Sequence, residues 1–157
     1  MSGQETIESA LQTNLRILSS DDMPLVLFSS STIVGLQNNT QERWQLAVDT
    51  IYRCVVSGLL ELTYPKYRAD HNAFFQAIRT QNPFDRSGGV LWNWEQLYGT
   101  DKLVALVDKN FPDAGEAYDE AVDPAFIQEL REIFAAAGVP WSDTPLLPVI
   151  LTSAGAA

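Results

Sequence analysis

Residues 39–62 read NTQERWQLAVDTIYRCVVSGLLEL, and this stretch decides the fold class. Its apolar side chains recur every three or four residues, which is the spacing of one face of a helix: Trp44, Val48, Ile51 and Val55. A helix is therefore predicted over residues 40–57. Asn39 is its expected N-cap, Glu42 completes a capping box, and Gly58 stands where a helix commonly ends in a left-handed residue.

Directly after this helix, the run LLELTYP predicts a short β-strand. Leu60, Leu62 and Tyr64 alternate with polar residues, as on a half-buried strand, and Pro65 closes the run. Residues 23–36 and the later run LLPVIL, residues 146–151, are less distinct. The first holds an apolar run too short to separate strand from helix, and the second is either an edge strand or packed extended chain.

The same helical spacing recurs on both sides of the central stretch. The further helices are predicted over residues 4–18, from Asp70 to Thr80, from a Thr100 cap to Phe111-Pro112, and from an Asp123 cap with Pro124 at the first position. We therefore expect a mainly α fold, a single-domain helical bundle with a minor short β-element. An α+β fold is the alternative, and residues 1–157 fit one globular domain.

The chain is strongly acidic, and the charge is uneven. The net charge is −10; residues 1–100 hold ten acids and seven bases, whereas residues 101–157 hold ten acids and three bases. Nucleic acids and anionic lipid surfaces are themselves negative, so neither is an expected partner. A basic protein partner fits this charge, although solubility alone would also explain it. Cys54 is the one cysteine, and no signal peptide or membrane span is evident, which predicts a cytoplasmic protein.

Two features are candidates for contact with a partner. The first is an acidic segment whose members are Asp113, Glu116, Asp119, Glu120 and Asp123. It is either a solvated loop before a helix or a site that attracts lysine and arginine side chains, and its spacing does not match a calcium-binding EF-hand. The second is the stretch GGVLWNWEQLYG, residues 88–99. We expect Trp94 to lie in the core and Trp92 to lie at a boundary or interface, where it could anchor a partner.

No catalytic signature is present in the sequence. His71 is the only histidine, and the glycines match neither phosphate-binding fingerprint nor a nucleophile elbow. Neither an enzyme, nor a cofactor, nor a metal is therefore predicted. A small enzyme or ligand-binding domain with a carboxylate-lined pocket stays open as an alternative, because paired carboxylates cannot be recognised across a cleft from sequence.

The order of elements resembles that of a known class of proteins. A capped helix ending in GLLEL, Arg43–Leu62, is followed by the block GTDKLVALVDKNFPD, residues 99–113, and then by an acid-rich helix with Trp141 beyond it. Over about residues 40–113 the chain resembles bacterial immunity proteins, which are encoded beside polymorphic or type VI secreted toxins. The resemblance implies a cytoplasmic inhibitor, monomeric or weakly dimeric, that occludes a toxin basic near its active site. A secretion-system adaptor or chaperone is a further alternative.

Overall fold

A computed structural model describes residues 4–112 and 121–151 of the chain. Within these ranges the helices are α1 (Ile7–Leu18), α2 (Leu27–Ser30), α3 (Gln41–Val56), α4 (Pro65–Ala69), α5 (His71–Thr80), α6 (Gly89–Trp94), α7 (Asp101–Asn110) and α8 (Pro124–Ala136). The strands are β1 (Gln4–Glu5), β2 (Met23–Pro24), β3 (Thr32–Ile33), β4 (Leu60–Leu62) and β5 (Gln96–Gly99). The fold is mainly α with a minor β-element, as the sequence predicts.

The larger sheet is antiparallel and has three strands in the order β2-β5-β4. Its centre is Leu97, which pairs with Met23 on one side and with Leu62 on the other. Leu60 and Leu62 are buried on either side of the half-buried Glu61, which is the alternation the sequence predicts for this strand. A second, two-stranded pair joins β1 and β3 in parallel.

Helix α3 lies at the centre of the core. Its apolar stripe, Trp44, Val48, Ile51 and Val55, is buried together with Cys54. The indole N–H of Trp44 donates to the carbonyl oxygen of Ile78 on α5 at 3.0 Å, so this buried tryptophan also satisfies its polar group. Among the described residues, the buried apolar side chains around it form one cluster, whose members come from positions between Leu11 and Val139.

The predicted helices are confirmed, with shifted ends. Helix α1 begins at Ile7, three residues later than predicted, because the Thr6 hydroxyl accepts from the Ser9 N–H and caps it there. Asp70, Thr100 and Asp123 cap α5, α7 and α8 as expected. Gly58 follows α3 with a φ of 81°, the left-handed conformation that glycine adopts without strain.

The predicted N-cap of α3 is wrong by one residue. Asn39 has a φ of 62°, which is left-handed, whereas an N-cap residue adopts extended backbone angles. Thr40 has those angles, and its hydroxyl accepts from the Arg43 N–H at 3.2 Å. The threonine is therefore the cap, and Asn39 turns the chain before it.

The two ambiguous segments are resolved by tertiary contacts. Residues 23–36 divide into β2, the single turn of α2, and β3. Residues 146–151 form no strand; they are irregular chain with a bend at Leu146 and Leu147, held against α3. The side chain of Asp49 accepts from the Leu146 and Leu147 N–H groups, and Gln45 accepts from the Val149 N–H and donates to the Leu147 carbonyl oxygen.

Replacing the observed cap should weaken α3. Thr40→Ala is expected to lower the free energy of unfolding by about 1 kcal/mol, because one N–H of the first turn loses its acceptor. Asn39→Gly is the matched control and should change stability by less than about 0.5 kcal/mol, since glycine adopts a positive φ freely. Urea unfolding of both variants measures the difference. A larger loss in the glycine variant would mean that Asn39 is the cap.

Candidate functional site

The two neighbouring tryptophans have opposite environments, and the prediction assigned them the wrong way round. Trp92 is 0% exposed, and its indole N–H donates to the Gln81 carbonyl oxygen at 2.6 Å. Trp94 is 76% exposed and Val90, one helical turn before it, is 75% exposed. Trp92 is therefore a core residue and cannot anchor a partner, whereas Trp94 and Val90 form an exposed apolar face on α6.

The geometry of this segment explains the error. The sequence is compatible with one continuous helix or one strand, but the chain changes from helix to extended conformation at Glu95. Only the six residues of α6 are helical, so Leu91 and Trp92 share its buried side, while Val90 and Trp94 lie four residues apart on the opposite side. The end of the helix at Trp94 is fixed by pairing of β5 with β2 and β4, which sequence spacing does not reveal.

Most of the predicted acidic contact segment lies outside the described residues. Asp113, Glu116, Asp119 and Glu120 belong to this part, and their role stays a prediction. Asp123 is described and has a structural role. One of its carboxylate oxygens accepts from the Ala125 N–H at 2.9 Å and from the Phe126 N–H at 3.1 Å, which caps α8.

Several positively charged side chains lie in the interior of the protein and not on its surface. Arg16, Arg43 and Arg53 are buried, three of the ten basic residues, whereas Asp49 is the only buried acid in the described residues. The anionic character of the surface is therefore stronger than the composition alone suggests. Such a surface attracts a basic partner over a distance set by ionic strength.

Two of these arginines bind backbone carbonyls of other segments. Arg43 donates to the carbonyl oxygens of Phe28 and Ser31, and Arg53 donates to those of Pro140 and Ser142. Burial lowers the pKa of both guanidinium groups, and neighbouring Asp49 partly offsets this for Arg53. Because guanidinium stays protonated in proteins, both are buried cations. Each links α3 by hydrogen bonds to a segment that is distant in the sequence.

A groove lies between the start of α1, the polar side of α3, α8 and the C-terminal segment. Its volume is about 430 Å³. Its apolar lining residues are Ile7, Leu11, Leu46, Phe134 and Trp141. Three carboxylates also line it, those of Glu42, Asp49 and Asp143. We call this site the α1–α3–α8 groove; sequence reasoning did not find it, because its walls come from segments far apart in the chain.

Asp49 is the most deeply placed acid of the groove. Its Oδ1 accepts from the N–H groups of Leu146 and Leu147 and from the Gln45 amide. Burial raises the pKa of this carboxyl above its ordinary value of 3.8, and the hydrogen bonds and the charge of Arg53 act against that rise. The carboxylate therefore lies in a site where a further cation would be favourable.

The histidine and the cysteine of the chain, His71 and Cys54, do not line the groove. His71 Nε2 contacts Glu61 Oε1 at 2.7 Å between β4 and α5. Cys54 is fully buried, and burial raises the pKa of its thiol to about 12, so it is protonated near neutral pH. In residues 4–112 and 121–151 no three metal-ligating side chains come together, and none of the helices there combines the length and apolar composition needed to cross a bilayer.

No family model, curated protein or solved structure matches this chain. The resemblance to immunity proteins therefore stays a prediction.

The two tryptophans should respond oppositely to truncation. Trp92→Ala is expected to lower the free energy of unfolding by about 3–5 kcal/mol, because it removes a fully buried ring and leaves the Gln81 carbonyl oxygen without its donor. Trp94→Ala should change it by less than about 0.5 kcal/mol. Chemical denaturation measures both values. A large loss in Trp94→Ala would show that this side chain packs in solution.

Proposed function

We propose that this chain is a cytoplasmic immunity protein, which binds a secreted toxin and neutralises it by occluding the active site. No bond is made or broken by its own side chains. The toxin is a protein that is basic near its active site, and the inhibitor reaches it through an anionic surface. The observation that carries the proposal is the pairing of this surface with one strongly exposed tryptophan.

The charge of the molecule supports a basic protein as the partner. Burial of three arginines leaves an excess of carboxylates on the described surface. Complementary charge can raise association rate constants to about 10⁸–10⁹ M⁻¹s⁻¹ at low salt. Fast capture suits an inhibitor, because a toxin acts for as long as it is free.

The exposed face of α6 supports a second, short-range contact. Trp94 and Val90 are apolar side chains, yet both are exposed to solvent on the folded chain. Exposed tryptophan is enriched among the residues that carry the binding energy of protein interfaces. The apolar anchor predicted from the sequence is therefore assigned to Trp94 in place of Trp92.

The acidic segment supplies the electrostatic contact in this proposal. Asp113, Glu116, Asp119, Glu120 and Asp123 place five carboxylates within eleven residues. Asp123 also caps α8, so its substitution would combine a structural effect with a binding effect. Asp119 and Glu120 are the better positions for a test, because they are adjacent and leave the Asp123 cap intact.

Co-expression tests the proposal directly. The gene next to the one for this chain is expressed alone and together with it, and growth and co-purification are measured. We expect the neighbour to be toxic and the chain to rescue growth. Trp94→Ala should weaken the complex by at least about 30-fold in Kd, the effect of losing an interface hot spot.

Val34→Ala is the matched control for the tryptophan variant. Val34 is 59% exposed and lies just after β3, so its truncation removes exposed apolar surface elsewhere on the molecule. The Kd of this variant should stay within about threefold of the unmodified chain. A neighbour that is harmless, or a toxin that is neither bound nor inhibited, would refute the proposed function. Equal effects of the two variants would remove Trp94 from it.

Association kinetics test the acidic segment separately. The double variant Asp119→Lys with Glu120→Lys is expected to slow association by about tenfold or more at low salt, with the difference shrinking as salt is added. Asp21→Lys with Asp22→Lys is the control, since it makes the same charge change at an exposed acidic pair elsewhere. Stopped-flow mixing measures both. If both double variants slow association equally, net charge rather than this segment steers the partner.

A further inference from the structure

The α1–α3–α8 groove has the size of a small-molecule site. Its volume of about 430 Å³ falls within the range of about 300–1,000 Å³ that ligand pockets occupy. Its floor is apolar, with Phe134 and Trp141 from two separate segments beside Leu11 and Leu46. An aromatic or aliphatic body would cover this floor and exclude water from it.

Asp49 presents to the groove a carboxylate oxygen to which no group of the described residues donates. The residue is 7% exposed, so more than nine-tenths of it is buried, and it lines the groove. Its Oδ1 accepts all three hydrogen bonds found for this carboxylate among the described residues. Oδ2 has no donor there. Among the described residues, the fully buried side-chain atoms without a partner do not include Oδ2, so this oxygen is accessible from the groove. A ligand ammonium group can therefore reach it and form a charge-assisted hydrogen bond.

The charge of the lining selects the sign of the ligand. Glu42 and Asp143 add two carboxylates to that of Asp49, whereas Arg53 is the only base among the described lining residues. Arg53 directs its Nε–H and one Nη2–H to the Pro140 and Ser142 carbonyl oxygens, and its single positive charge does not balance the three carboxylates. A negative ligand would be repelled, and a positive one attracted.

We propose that the α1–α3–α8 groove binds a small organic amine, with the ammonium group donating to Oδ2 of Asp49 and the apolar body lying on Leu11, Leu46, Phe134 and Trp141. Glu42 and Asp143 add long-range attraction from the rim. None of the described residues that line this site belongs to the α6 face, and the site needs no protein partner, so the proposal goes beyond the proposed function and does not depend on it.

Two matched probes test the site on the unmodified full-length chain. Phenethylammonium chloride and 2-phenylethanol share one apolar body and differ in the charged group. Titration followed by ¹⁵N–¹H spectra should give saturable shifts at Trp141, Leu146 and Leu147 with the amine. The alcohol should bind at least about tenfold more weakly, because it lacks the charge-assisted hydrogen bond.

Variants locate the ammonium group. Asp49→Asn keeps Oδ1 as the acceptor for the Leu146 and Leu147 N–H groups and should weaken amine binding about tenfold or more while leaving alcohol binding unchanged. Asp108→Asn is the control, because it removes one exposed carboxylate from α7, outside the groove. It should leave amine affinity unchanged.

Three outcomes would overturn the proposal: equal affinity for the two probes, no saturable shift with the amine up to its solubility, or shifts confined to residues outside the groove. The comparison of probes uses the unmodified chain, so it decides the matter even if Asp49→Asn fails to fold. Because no toxin is present, failure here leaves the immunity function standing, and failure of the co-expression test leaves this site standing.

Discussion

The structure depends on how the polar side chains of the central helix are satisfied. Helix α3 is buried along most of its length, and a buried polar group without a partner is costly. Its side chains therefore bind the backbone of remote segments: Trp44 the end of α5, Arg43 the α2 turn, and Arg53 the residues after α8. Asp49 and Gln45 hold the C-terminal segment, residues 146–151, in the same way. One helix thus fixes the positions of four segments.

This arrangement has a consequence for charge. An arginine that binds carbonyl oxygens in the interior adds no positive potential at the surface comparable to that of an exposed one, while the acids outside are left unbalanced. The same bonds that organise the fold therefore make the surface more anionic. They also create the groove, because the C-terminal segment is held at the distance that the side chains of α3 span. The hydrogen bonds of the α3 side chains therefore shape both the fold and the candidate binding surfaces.

Short sequence patterns predicted the positions of the helices better than they predicted which side chains of those helices are buried. Helix spacing and caps at Asp70, Thr100 and Asp123 were sufficient to place the main helices, because these signals act within a few residues. The cap of α3 was misplaced by one residue because Asn39 and Thr40 are both good caps by type, and only the backbone angles distinguish them. Trp92 and Trp94 were exchanged because the side that a six-residue helix buries is decided by what packs against it.

Composition and short periodic patterns were enough to predict the mainly α class, the strand after α3 and the acidic balance of the chain. The packing of the folded chain determines which tryptophan is exposed and which arginines are buried, and it brings Glu42, Asp49 and Asp143 to one groove with Trp141. These properties arise where residues about a hundred positions apart meet. Local propensity carries no information about such meetings, because they depend on the free energy of the whole packed chain.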